Sequence, residues 1–145
     1  MINPSKIPFR CILIVNPGRV RESLQAILKA NDLIDIVGIA GGGLSASKQI
    51  ISSNPEIVVL DGNLAEDEAL EIILWLQSNY PNVKTLILVE NNLQRNILLA
   101  GGADFVISKG FLSEQLADTI DCLQMDRSEG FQSPSMDEFL YEDKK

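Results

Sequence analysis

The sequence predicts an α/β domain in which five strand–helix units wind on both sides of one parallel sheet. Between residues 11 and 123, short β-branched runs alternate with longer stretches of helical period, the pattern of repeated βαβ units. The strand-like runs are continuously apolar, as strands buried on both faces should be. A chain of 145 residues with 46% apolar content is long enough to bury one core.

The first strand is read at residues 11–15, CILIV, and the helix after it at 20–30, where Val20, Leu24, Ile27 and Leu28 fall on one stripe. A second strand at 35–39 leads through three glycines to a helix at 44–52. The third strand, 57–60, precedes a helix at 66–78 whose stripe is Leu70, Ile73, Leu74 and Gln77. Glu66, Asp67 and Glu68, with Glu71, give that helix negative charge at its N-terminus, a plainer reading than a metal site. A strand at 85–89, a helix at 93–100, a strand at 105–107 and a helix at 113–123 with Ser113 as N-cap complete the set. The domain is expected to span 9–124, and 125–145 to form a disordered acidic tail or linker with Phe139, Leu140 and Tyr141 as an apolar cluster. A linker to a further domain is favoured over a short docking segment.

Charge and composition exclude several functions. A net charge of -8 and a pI near 4.4 argue against nucleic-acid binding by this segment, which would need clustered Lys and Arg. No apolar run approaches the roughly 18 to 20 residues that span a bilayer, so no membrane association is expected and the protein is placed in the cytoplasm. Cys11 and Cys122 read as small buried hydrophobes and not as a disulfide framework. The lack of histidine removes His-based triads, histidine zinc sites and a histidine phosphodonor, and no enzyme activity is assigned.

In such a sheet the carboxyl ends of the strands form the ligand crevice. The residues there are Asn16, Pro17 and Gly18; Asp61, Gly62 and Asn63; Glu90 and Asn91; and Ser108, Lys109 and Gly110. Taken singly, Asp61 could start a turn and Lys109 end a strand. Together, a carboxylate that accepts a phosphoryl group and a lysine that holds its oxygens make a sensible chemical pair.

Four segments in series, Ile12-Leu13-Ile14-Val15, Ile36-Val37-Gly38-Ile39-Ala40-Gly41, Pro55-Glu56-Ile57-Val58-Val59-Leu60-Asp61 and Gly102-Ala103-Asp104-Phe105-Val106-Ile107-Ser108-Lys109, resemble receiver domains of two-component response regulators. The resemblance covers about residues 11–124 and is nearest to receivers that precede helix-turn-helix output domains. It implies a flavodoxin-like sheet of order 2-1-3-4-5, Asp61 as phosphoacceptor, Lys109 as its partner and Mg²⁺ beside Asp61. It also implies as partner a histidine kinase or other signalling protein, an output domain beyond the chain, or a second copy, with residues 93–100 and 113–123 as contact surfaces.

Several positions depart from that pattern. Asn16-Pro17 stands where the family has an acidic pair, leaving Asp61, the Asn16 amide and the Asn63 carbonyl as a weak Mg²⁺ site at best. The Ser or Thr at the end of the fourth strand is replaced by Val89, or by Glu90 if the alignment slips by one, and Glu90 would repel a phosphoryl group. Val106 replaces the switch aromatic, Phe105 a glycine and Gly110 a proline, while Leu64-Ala65 and Glu68-Ala69 replace Met-Pro and Asp-Gly. The expectation is therefore an atypical receiver that relays a signal by protein contact with phosphorylation weak or lost. The alternative is a conventional phosphorylatable receiver controlling a DNA-binding output domain.

A second alternative rests on Gly41-Gly42-Gly43-Leu44-Ser45-Ala46, which fits a dinucleotide fingerprint with Asp61 about 20 residues on as the ribose acid. Against it, the motif follows the second strand and not the first. A flavin domain of this topology is disfavoured because Asn16-Pro17-Gly18 lacks the hydroxyls of a phosphate cradle.

Overall fold

The computed structural model describes residues 7–64 and 67–129. Ala65 and Glu66, and all of the expected tail from residue 130 on, lie outside the described residues. Five strands, β1 (Phe9–Ile14), β2 (Ile34–Ala40), β3 (Ile57–Asp61), β4 (Lys84–Val89) and β5 (Phe105–Ser108), alternate with five helices. The helices are α1 (Arg19–Lys29), α2 (Gly43–Ser53), α3 (Glu68–Asn79), α4 (Asn92–Ala100) and α5 (Leu112–Glu129), the last entered through a 3-10 turn at Lys109–Phe111. The sheet is parallel with order β2-β1-β3-β4-β5, as the resemblance implied.

Because successive strand side chains point to opposite faces, each central strand feeds two cores. Cys11, Leu13, Val59 and Leu88 pack with Leu24 and Leu28 of α1 and with Leu112, Leu116 and Ile120 of α5. Ile12, Ile14, Val58 and Ile87 pack on the other face with Ile50 of α2, Ile73 and Leu76 of α3 and Leu98 of α4. Each large aliphatic side chain so buried contributes about 1.5–3 kcal/mol before entropy is counted. These two layers fix the carboxyl ends of β1, β3 and β4 as a rigid floor.

The structure corrects the sequence reading at several points. Complete burial holds for β3 and the middle of β1 and β4, whereas β2 at the sheet edge and β5 are only partly covered. The buried stripe of α3 is Ala69, Ile72, Ile73 and Leu76, one residue earlier at each position than expected, and Leu74 is exposed. Val20 is likewise exposed. Ser113 is the second residue of α5 and not its N-cap, since the 3-10 turn feeds the chain directly into the helix. Cys122 lies on the exposed face of α5, while Cys11 is buried and its thiol pushed up to about 12 chiefly by that burial; both are free. The helix α5 runs on to Glu129, because Arg127 anchors its end to Glu56 and Phe9.

Candidate functional site

Strand order sets the site. With β4 between β3 and β5, the residues that end β3 and follow β5 can meet only by reaching across the end of β4. They do so: Lys109 Nζ lies 2.9 Å from Asp61 Oδ1. The same oxygen accepts the Asn63 N–H at 2.9 Å, closing an Asx turn. Gly62 then lies so close to β4, donating its N–H to the Leu88 carbonyl at 2.8 Å, that a Cβ would stand 2.8 Å from that carbonyl oxygen. Asp61 is 6% exposed, a carboxylate nearly withdrawn from water beside one cation.

A second carboxylate shares that cation. Glu90 Oε2 is 3.5 Å from Lys109 Nζ, on a side chain 59% exposed at the mouth of the crevice. Val89, by contrast, is fully buried among the apolar residues packed against α2, α3 and α4, so Glu90 and not Val89 faces the site from β4. Val106 is half-buried, and the half-buried Phe105 packs against the core on the α1 and α5 side.

Sequence reasoning missed Gln94. Its Oε1 accepts the Glu90 N–H at 2.9 Å, and its Nε2 donates to the Gly62 carbonyl at 2.8 Å and to Asn63 Oδ1 at 2.7 Å. One amide thus ties the loop before α4 to the loop after Asp61. The sequence signalled its place but not this role: Asn91 N-caps α4 by accepting the Gln94 N–H at 2.8 Å, and an Asn followed three residues later by Gln is a capping-box pattern. Arg21 was missed as well; its guanidinium donates twice to the Val15 carbonyl, at 2.6 and 3.1 Å, beside the carboxyl end of β1.

The sequence reading named Asn16 and Asn63 as oxygen donors for Mg²⁺. The donor meant at Asn63 is its backbone carbonyl; both residues are exposed, and neither brings a carboxylate to the site. A hard divalent cation wants several carboxylates. Here Asp61 holds an ammonium, and among the described residues no three His, Cys, Asp or Glu side chains converge. The donor set does not fit a tight Mg²⁺ site.

The glycine motif is put to another use. Gly42 and Gly43 have φ of 124° and 54°, conformations that favour glycine, and they precede and open α2. The carboxylate of Glu68 sits against them: a Cβ on Gly42 would stand 2.6 Å from Glu68 Oε1, and one on Gly43 2.8 Å from Oε2. The place where a pyrophosphate would lie is taken by the chain's own anion. Asp61 ends β3, which is separated from β2 by β1, so motif and acid do not follow neighbouring strands. The dinucleotide reading finds no support in this arrangement.

Comparison with known proteins gives the same class as fold and crevice. The chain is 33% identical over 108 residues to the response regulator MprA of Mycobacterium ulcerans, covering 72% of this chain and 46% of that protein. It is 30% identical over 91 residues to the DNA-binding transcriptional activator DevR/DosR of Mycobacterium tuberculosis, covering 61% of this chain and 42% of that one. Among solved structures, a LuxR-family two-component response regulator from Aurantimonas superposes with a TM-score of 0.73 at 18% identity, over 81% of this chain and 86% of the other. No protein-family model matches the chain. Fold and relatives define a response-regulator receiver domain, and this chain carries one. It spans less than half the length of the two mycobacterial relatives.

Proposed function

We propose that this domain is an atypical receiver that relays a signal by contact with other proteins, with phosphorylation of Asp61 weak or lost. Asp61 is the phosphoacceptor position and Lys109 the group that would hold phosphoryl oxygens. The observation that carries the reading is the Glu90 carboxylate 3.5 Å from Lys109 Nζ, where an added phosphoryl group of roughly -1.5 to -2 charge would have to bind. The partners are a histidine kinase or another signalling protein, an output domain elsewhere in the same protein, or a second copy of the chain. The contact surface is α4 with α5, where Leu93, 71% exposed, and Ile97 present an apolar stripe. The domain itself is a cytoplasmic relay and not an enzyme; among the described residues no helix is long and apolar enough to cross a membrane.

One observation favours a conventional phosphoswitch driving a DNA-binding output: the Asp61 to Lys109 pair is already assembled at 2.9 Å. Incubation with acetyl phosphate and Mg²⁺, read by intact mass with Asp61→Asn as control, separates the two. The expected result is a phosphate adduct at less than a tenth of the level an ordinary receiver reaches under the same conditions. An acid-labile adduct at an ordinary level, absent from the control, would establish the phosphoswitch instead.

A further inference from the structure

We infer that Glu90 is a resident counter-anion that regulates the crevice by occupying Lys109, and that Gln94 is the residue that positions it. The inference rests on Asp61 being the acceptor, as proposed above. Lys109 is the only cation paired with Asp61 among the described residues, and Glu90 Oε2 stands 3.5 Å from the same ammonium. The backbone that carries the Glu90 side chain is tethered. The Glu90 N–H is held by Gln94 Oε1, and the other end of that amide is fixed to Gly62 and Asn63 on the acceptor loop. The loop that opens α4 is thereby tied to the Asp61 loop by a single side-chain amide. Both halves of the latch use α4 itself, since Asn91 caps the helix and Gln94 lies in its first turn.

The consequence for the acceptor is electrostatic. For Asp61 to take a phosphoryl group from acetyl phosphate, a carboxylate oxygen attacks phosphorus, the P–O bond to acetate breaks and acetate leaves with the bonding pair. The product is an acyl phosphate whose oxygens need Lys109. Glu90 must release that ammonium first, and its own charge opposes the incoming group. Because the Glu90 side chain is more than half exposed, the Glu90–Lys109 pair is the part of the cluster that dissolved salt can screen.

The test uses the full chain with acetyl phosphate as probe, comparing Glu90→Thr, Glu90→Gln and Gln94→Ala with the parent at low and high salt, each first checked for an unchanged cooperative melt. Adduct formation is expected to rise at least fivefold in Glu90→Thr and Glu90→Gln and by a smaller factor in Gln94→Ala. The parent rate should increase with salt and the Glu90→Thr rate should not, a dependence that a merely structural glutamate would not produce. A gain below fivefold in both Glu90 variants, including no adduct in either, overturns the latch while leaving a phosphorylation-poor receiver standing. A parent that reacts as fast as an ordinary receiver overturns the proposed function, and the ratio of variant to parent still decides the latch.

Discussion

The two poles of the sheet carry the same chemistry with opposite arithmetic. At the amino ends of the strands one carboxylate, Glu56, is held by two guanidiniums: Arg127 Nη2 at 2.7 Å and Arg10 Nη1 at 3.6 Å, with the Arg10 backbone N–H adding a bond at 3.1 Å. Arg127 also lies 3.7 Å over the Phe9 ring and donates to the Ile7 carbonyl, and Arg10 donates twice to the Asn54 carbonyl. At the carboxyl ends one ammonium, Lys109, is shared by two carboxylates. The first arrangement leaves no anion wanting and stitches the end of α5 to β1. The second leaves the cluster one negative charge in excess, with the surplus carboxylate at the exposed mouth of the crevice, an arrangement that does not serve stability.

The largest effect on stability should come from removing the shared cation. Lys109→Met leaves Asp61 almost buried with one backbone N–H as donor, and breaking a buried pair by deleting one partner is costly. A loss of about 2–3 kcal/mol is expected in urea unfolding, somewhat below the fully buried case because Lys109 itself is partly exposed. An unchanged midpoint would mean that the two poles do not differ as described. Arg127→Ala comes next. It removes the Glu56 ion pair, the contact with Phe9 and a bond to a backbone carbonyl, for an expected loss of about 1–2 kcal/mol. Faster amide exchange confined to the last turns of α5 would mark the same loss locally.

How much of this was legible in the sequence follows the range of the forces involved. The alternation of apolar runs and helical period reports burial, which is local, and it placed all five strands and all five helices near their observed positions. The Asp61 to Lys109 meeting was legible because each residue directly follows a strand run and the sheet order brings the ends together. The roles of Gln94 and Glu68 were not, because a hydrogen bond between loops 31 or 32 residues apart, or a carboxylate resting on glycines of another unit, depends on rotamers that no periodicity encodes. The exposure of Cys122 was missed for a simpler reason. An apolar-looking residue in an amphipathic helix is buried or not according to helix phase, and Cys122 lies off the buried stripe of Leu112, Leu116, Thr119, Ile120 and Leu123.

The smallest effect is the most discriminating. Neutralising the carboxylate at each pole, with Asp61→Asn at one and Glu56→Gln at the other, should change stability with opposite sign. Asn at 61 can still accept the Asn63 N–H, and Lys109 keeps Glu90 as partner, so the excess charge is relieved at little cost in hydrogen bonding. The expected change lies between no effect and a gain of about 1 kcal/mol. Gln at 56 leaves two guanidiniums facing a neutral amide, and a loss of about 1 kcal/mol is expected. Measured side by side in the same denaturant series, a loss in Asp61→Asn equal to that in Glu56→Gln would show that Asp61 is held for stability, and the excess of negative charge at the crevice would lose its functional meaning.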